Sequence, residues 1–250
     1  MCLINFSFQQ HPDYPFLLAG NRDEFYARPT APLHWWEDEP NVLAGRDLKD
    51  GGTWMGINKA GKFAALTNYR DLNNIRNDAP SRGIIAQQFL NGALPLEEMH
   101  RFLKTRGRRF NGFNLIYGDQ DELYYYSNVN DTVRQLHPGI YGLSNALLDT
   151  PWPKVINSKS AFTRLTENTV NPDQIIEMLH NTDTVADDQL PHTGVEPEWE
   201  KRLSAMFITS PEYGTRLTTF VSIRAGGHVI YREKGYRPAH DITFEFSLQP

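Results

Sequence analysis

The amino-acid sequence predicts an α+β fold in which antiparallel hairpins are layered against separate pairs of helices. Three observations carry this. Short apolar or alternating runs are joined by turns rich in Gly, Pro and Asp, as hairpins are. Helical patterns occur in two neighbouring pairs, so the order is strands, helices, strands, helices, strands, unlike the alternation of a parallel doubly wound sheet. No change of composition marks a linker across 250 residues, a length able to bury one large core, so a single domain over 1–250 is expected.

The first strand is read from Cys2 to Phe8 and the second from Pro15 to Gly20, paired across a loop at Gln9 to Tyr14. The second run ends in the dense polar stretch Gly20-Asn21-Arg22-Asp23-Glu24-Phe25, which a hairpin brings back beside Cys2. Arg28 to Trp36 contains two prolines and reads as a loop whose Trp35 and Trp36 either cover a pocket or pack on opposite sides of a strand. Gly51-Gly52 suits a tight turn or a close backbone approach. Trp54 to Gly56 and Phe63 to Asn68 form a hairpin about Gly61, ending at Asn68-Tyr69-Arg70-Asp71.

A polar loop from Asn73 to Pro80 precedes a helix capped by Ser81 and running to Leu90, with a second helix from Leu96 to Lys104. The basic residues from Arg101 to Arg109 at its end complement the helix dipole or meet a phosphate or carboxylate. Phe113 to Tyr117 and Leu123 to Ser127 make another hairpin, and Ile140 to Leu143 is a strand stopping at Ser144-Asn145. Pro151 to Leu165 and Pro172 to His180 are helices, the latter capped by Asn171. Asn181 to Lys201 is read as a long surface loop or lid of low order, in which His192 has no catalytic part. Tyr213 to Arg216 leads into a strand from Leu217 to Arg224, a hairpin over Gly226-Gly227, and a closing strand from Ile242 to Leu248.

The formal charge of −5 has both signs mixed along the chain, which argues against a nucleic-acid partner. A single cysteine excludes an internal disulfide and a Cys-rich metal site, and no metal centre is expected. With no run of about 18 apolar residues and no signal-peptide pattern, a soluble, cytoplasmic protein without a transmembrane segment is expected.

That cysteine is the second residue. Loss of Met1 would place a thiol and a free α-amine on Cys2, and an amine titrating near 8 can take the thiol proton during attack on a carbonyl. Cys2, Asn21 to Glu24, Asn68 to Asp71, Asn145, and Tyr213 to Arg216 all fall at expected strand ends and carry groups of catalytic type. Acyl transfer needs a nucleophile, a base, donors to the oxyanion and a group holding the base. Asn68 and Asn145 can donate to an oxyanion, one such donor being worth about 3 kcal/mol of barrier. Arg22, Asp23 and Arg216 can position the amine and thiolate.

The strings Met1-Cys2, Gly20-Asn21-Arg22-Asp23-Glu24-Phe25, Gly51-Gly52-Thr53-Trp54, Leu66-Thr67-Asn68-Tyr69-Arg70, Gly142-Leu143-Ser144-Asn145, Pro151-Trp152-Pro153-Lys154 and Tyr213-Gly214-Thr215-Arg216 resemble the NRDE family. This is the family of the Transport and Golgi organization protein 2, and the resemblance runs from residue 1 to about 225. More distantly the layout is similar to N-terminal nucleophile hydrolases of the choloylglycine hydrolase and penicillin acylase type. That resemblance implies a four-layer αββα sandwich, with Cys2 at the nucleophile position and Asp23 at that of the acid near the α-amine. Arg22 stands near the motif's Arg, although the order of Asn and Arg is reversed. Asn68 and Asn145 match the two oxyanion positions, and Arg216 the Arg beside the nucleophile. Asn21, Glu24, Trp35, Trp36, Trp54, Tyr69 and Arg70 are the expected substrate-binding residues.

Two functions follow from the resemblance. In the first, the protein is a cysteine amidohydrolase or acyltransferase acting on a small-molecule amide or thioester and needing no cofactor. In the second, it binds and traffics haem, or an acyl-CoA or lipid, in the same pocket, with haem-donating or haem-accepting proteins as partners. Cys2, His11 and His34 are the candidate haem ligands, without haem-attachment spacing. Fold alone does not choose between the two.

Overall fold

The computed structural model describes residues 2–249; Met1 and Pro250, and with Met1 the question of its removal, lie outside the described residues. Thirteen strands form two antiparallel sheets among these residues. The six-stranded sheet contains β1 (Cys2–Phe8), β2 (Phe16–Phe25), β10 (Gly139–Leu143), β11 (Tyr213–Ile223), β12 (His228–Tyr236) and β13 (Ala239–Ser247), in the order β10-β1-β2-β11-β12-β13. The seven-stranded sheet follows chain order: β3 (Thr30–Trp35), β4 (Val42–Asp47), β5 (Met55–Asn58), β6 (Phe63–Asn68), β7 (Phe113–Gly118), β8 (Leu123–Ser127) and β9 (Thr132–Gln135).

Side-chain alternation along β1 explains the layering. Ile4, Phe6 and Phe8 point into a core shared with Leu43, Ile57 and Phe63 of the other sheet, whereas Leu3 points to the opposite side. There Leu3, Leu17 and Phe220 pack on Val155 and Phe162 of α3 (Pro153–Leu165) and Ile175 of α4 (Pro172–Met178). The outer face of the seven-stranded sheet buries Ala64, Leu115 and Tyr117 under Ile85 and Phe89 of α1 (Gly83–Leu90) and Met99 and Leu103 of α2 (Leu96–Arg106). Helices, sheet, sheet and helices thus stack as αββα. Because β1 and β11 are covered on both faces, every residue in each is buried, the polar Asn5, Ser7, Arg216, Thr218 and Ser222 included.

Several local features follow the expected chemistry. Asn171 caps α4, its side chain accepting from the amides of Asp173 and Gln174. Gly51 has φ +80°, and a side chain on Gly52 would collide with the backbone of Gly83 at the start of α1, so the pair serves a turn and a close approach.

Other expectations are corrected. The second strand does not stop at Gly20: the polar stretch through Phe25 is the second half of β2, paired on one side with β1 and on the other with β11. Asn21 and Asp23 hold their places in the strand through partners elsewhere in the fold, Leu179, Met206 and Thr218 for the first and Thr215 for the second. Of the two readings of Arg28 to Trp36 the strand is the one found: Thr30 to Trp35 is an edge strand, with Pro32 inside a register irregularity between Ala31 and His34, a place where a missing amide hydrogen costs no ladder bond. Ser81 caps nothing, since α1 starts at Gly83. Asn181 to Lys201 is not loosely attached: it includes part of the short helix α5 (Pro197–Arg202), whose Glu200 is buried.

Candidate active site

Cys2 opens β1 and lies opposite Arg22 in the β1–β2 ladder. Its carbonyl accepts a hydrogen bond from Ser144 Oγ at 3.0 Å, fixing the strand end against the residues after β10. Cys2 is 9% exposed, and burial pushes its thiol above the ordinary range. The Asp23 carboxylate adds to that rise, while the Arg22 guanidinium and the Asp23 backbone amide oppose it.

Arg22 lies over the ring of Trp54, with its guanidinium carbon 4.1 Å from the centroid, and its Nη2 is 3.8 Å from Glu24 Oε2. Its Nη1 is buried with no hydrogen-bond partner among the described residues. Asp23 Oδ1 accepts from Thr215 Oγ1 at 2.7 Å, beside an irregularity in the β2–β11 register between Thr215 and Leu217. Burial raises the Asp23 carboxyl above the usual range against the opposing charges of Lys154 and Arg22.

Asn68 ends β6 and borders the same cleft. Its carbonyl accepts from Asn145 Nδ2 at 2.8 Å, and the Asn145 carbonyl accepts from the Arg70 amide at 2.8 Å. Asn145 therefore splices the end of β10 to the stretch after β6; it does not border the cleft. Arg216 is likewise a tie, donating to the Arg28 and Phe25 carbonyls, Thr30 Oγ1 and the Arg237 carbonyl. Asn21 is turned inward: its Nδ2 donates to the Leu179 and Met206 carbonyls and its Oδ1 accepts from Thr218.

The cleft has two arms. A polar arm of about 430 Å³ holds Cys2, Arg22, Asp23 and Trp54 together with Arg28 and Asp47. An apolar arm of about 390 Å³ is bordered by Tyr69 and Arg70, and the two arms share Glu24, Asn68, Arg82 and Asn111. Trp35 and Trp36 reach neither arm. As consecutive residues at a strand end they point to opposite sides. Trp35 packs on Phe244 and Phe246, and Trp36 is buried beneath the helices with its Nε1 donating to the Ala44 carbonyl. Of the paired readings of these tryptophans, packing on both sides of a strand describes the structure.

The two histidines also lie outside both arms. His11 Nε2 contacts the Asn168 carbonyl at 2.9 Å and its Nδ1 accepts from the Asp13 amide. His34 Nδ1 contacts the Pro32 carbonyl at 2.7 Å on an edge strand. Among the described residues no group of three or more His, Cys, Asp or Glu is placed to hold a metal ion, and no helix is long and apolar enough to cross a membrane.

Three residues of the site escaped sequence reasoning. Lys154, 4% exposed on the buried face of α3, donates to the Leu203 carbonyl at 2.8 Å. Burial and the Arg70 charge lower its ammonium to about 8, against the attraction of Asp23, Cys2 and Glu200. Glu200 forms a buried ion pair with Arg70, whose guanidinium carbon lies 4.9 Å from the Trp152 ring centroid. Arg82 stands on the shared rim with Nη1 bound to the Gly112 carbonyl. The signal for Lys154 was a lysine on the same helix face as Val155, Ser158 and Phe162; Glu200 left none, because its partner is 130 residues away.

The stacking of two antiparallel sheets between helices is the fold of the N-terminal nucleophile hydrolases. The structure is similar to a mutant of the conjugated bile acid hydrolase from Clostridium perfringens, with a TM-score of 0.54 and 10% identity over 98% of this chain and 92% of that one. It is also similar to the Caenorhabditis elegans ortholog of N-acylethanolamine-hydrolyzing acid amidase, with a TM-score of 0.50 and 11% identity over 88% of this chain and 92% of that one. The chain itself belongs to the Transport and Golgi organisation 2 family, whose pattern matches residues 1–238. It is 36% identical to the Transport and Golgi organization protein 2 homolog of Bos taurus and 34% identical to that of Homo sapiens, with full coverage of both chains in each case. Identity to Transport and Golgi organization protein 2 of Drosophila melanogaster is 29%, over 89% of this chain and 88% of the fly protein.

Proposed function

We propose that this protein is a cysteine-dependent acyl-transfer enzyme that opens a small-molecule amide or thioester, passing the acyl group to water or an amine. The observation that carries the reading is the meeting of Cys2, Arg22, Asp23 and Asn68 around one cleft, brought there by the starts and ends of three strands. The names of the two structural relatives, a conjugated bile acid hydrolase and an N-acylethanolamine-hydrolyzing acid amidase, point the same way.

A thiol raised by burial rests protonated, so attack has to be coupled to proton removal. Once Met1 is removed, the α-amine of Cys2 is the nearest base by covalent connection. As the sulfur–carbon bond forms, the thiol proton passes to that amine. The carbonyl π pair moves to oxygen, for which the Asn68 amide, on the cleft border, is the proposed donor. Collapse breaks the carbon–nitrogen or carbon–sulfur bond, and the proton goes from the ammonium to the leaving group. Water then attacks the thioester with the same amine as base, releasing a carboxylic acid and restoring the thiol. Asp23, anchored by Thr215, and Arg22, stacked on Trp54, orient the amine and balance charge.

The test is turnover of a panel of acyl amides and thioesters by the processed protein. Wild type is expected to release product and Cys2→Ala none, while Asn68→Ala lowers kcat about a hundredfold or more. Turnover that survives Cys2→Ala, or its absence across the panel with wild type, overturns the proposal.

A further inference from the structure

Eight large hydrophobic side chains stand exposed among the described residues, and four of them, Phe25 (55%), Leu72 (43%), Ile75 (57%) and Trp199 (38%), line the apolar arm. Such clustering marks a binding surface, whereas exposed hydrophobic residues scattered singly need no explanation. The arm's volume of about 390 Å³ lies within the small-ligand range of about 300–1,000 Å³, and it opens onto Asn68 at the rim shared with the Cys2 cleft. Phe25, Tyr213 and Trp199 form a row of edge-to-face rings, with centroids 5.1 Å and then 6.0 Å apart. Glu24 and Asp71 on the border of this arm are matched by Arg70 and Arg82, so its apolar side chains decide what it accepts, while Arg22, Arg28, Lys49, Asp47 and Asp50 make the other arm receptive to a charged group.

Trp199 has an unusual seat. It lies on α5, beside Glu200, whose buried carboxylate is one of the ties that hold this segment to the rest of the fold. That carboxylate pairs with Arg70 and accepts from the Thr193 amide at 3.1 Å and Thr193 Oγ1 at 2.6 Å. Arg70 lies two residues after Asn68, so the wall of the apolar arm is tied to the stretch that carries the candidate oxyanion donor.

We infer that the apolar arm receives the acyl chain of the substrate, with the leaving group in the polar arm, and that Trp199, seated by the Arg70–Glu200 pair, sets the chain length accepted. The inference rests on the acyl-transfer reading. Its test follows kcat/KM for amides of one leaving group whose acyl chain grows by single methylenes, alongside calorimetric binding of the matching free fatty acids. Wild type is expected to gain about fourfold per methylene until the arm is filled and then to level off. Trp199→Ala is expected to lower the ratio of long-chain to short-chain kcat/KM about tenfold, with Trp199→Phe recovering most of that ratio.

Turnover that ignores chain length, or a Trp199→Ala slope identical to wild type, overturns the inference and leaves the reaction intact. Length-dependent fatty-acid binding that is sensitive to Trp199→Ala but accompanied by no turnover supports the assignment of the arm and overturns the reaction. Saturable haem binding that fatty acids do not displace and Trp199→Ala abolishes overturns it in favour of a macrocyclic ligand.

Discussion

Replacing Lys154 by Met should remove a pH dependence of stability that the wild-type protein carries. The Lys154 ammonium, fully buried on α3, falls from 10.5 to about 8, chiefly because burial penalises the charge and also because Arg70 is near. The folded value is depressed, so between about 8 and 10.5 the unfolded chain binds the proton that the folded chain has released, and stability rises with pH across that window. The contribution is fully present above 10.5 and is lost as pH falls through about 8. At about 1.36 kcal/mol per unit, the shift amounts to about 3 kcal/mol, of which about 2.5 kcal/mol should appear between about pH 7 and about pH 10. For a chain of 250 residues this corresponds to a Tm change of about 5–10 °C. The assay is the Tm difference between wild type and Lys154→Met along a pH series, a double difference in which groups common to both proteins cancel. Wild type should gain on the variant as pH rises; a difference that stays constant with pH would refute the reasoning.

Further predictions concern the groups that position the site. Asn145→Ala removes the donor to the Asn68 carbonyl and the acceptor for Ser144 Oγ, and should cost about 2 kcal/mol in chemical denaturation while lowering kcat more than it raises KM. Gly45→Ala drives a methyl group into the Trp54 indole, displacing it from beneath Arg22; a stability loss of about 1–3 kcal/mol should accompany reduced acyl transfer, and full activity would place the stack outside the machinery. Glu200→Ala breaks a buried ion pair and should cost about 3–5 kcal/mol, with new proteolytic cuts between residues 181 and 203 under native conditions. An unchanged digestion pattern would show that Glu200 does not fasten this segment.

Much of the inner fold was legible because its determinants are local. The β1–β2 hairpin brings Arg22 opposite Cys2 across a single turn, while the turn at Gly61, a glycine at φ +86°, and the Asn171 cap of α4 each rest on residues within a few positions of one another. The exposed edge strand β9 was not read, and β3 was left open between a loop and a strand, since neither buries a regular alternating face and β3 carries a proline. That β2 continues through its polar half was not read, because its polarity is matched by distant partners: Thr215 for Asp23, and Leu179, Met206 and Thr218 for Asn21. The same limit hid Glu200, which pairs across 130 residues, and misplaced the role of Trp36, whose burial under α1 and α2 depends on how the second sheet stacks on its helices. Nearness of Cys2 to Asp23 and Asn68 was legible; the division of the cleft into a polar and an apolar arm was not, because Trp199 enters it from a segment with no strong periodicity.

The most direct test of cysteine-dependent acyl transfer is peptide mass spectrometry of protein purified from its native host after brief exposure to an electrophilic acyl probe. An N-terminal peptide that begins at Cys2 and carries the acyl group on its sulfur is the expected result. A peptide that still begins at Met1, or a Cys2 left unlabelled while acyl groups appear on scattered lysines, would contradict it.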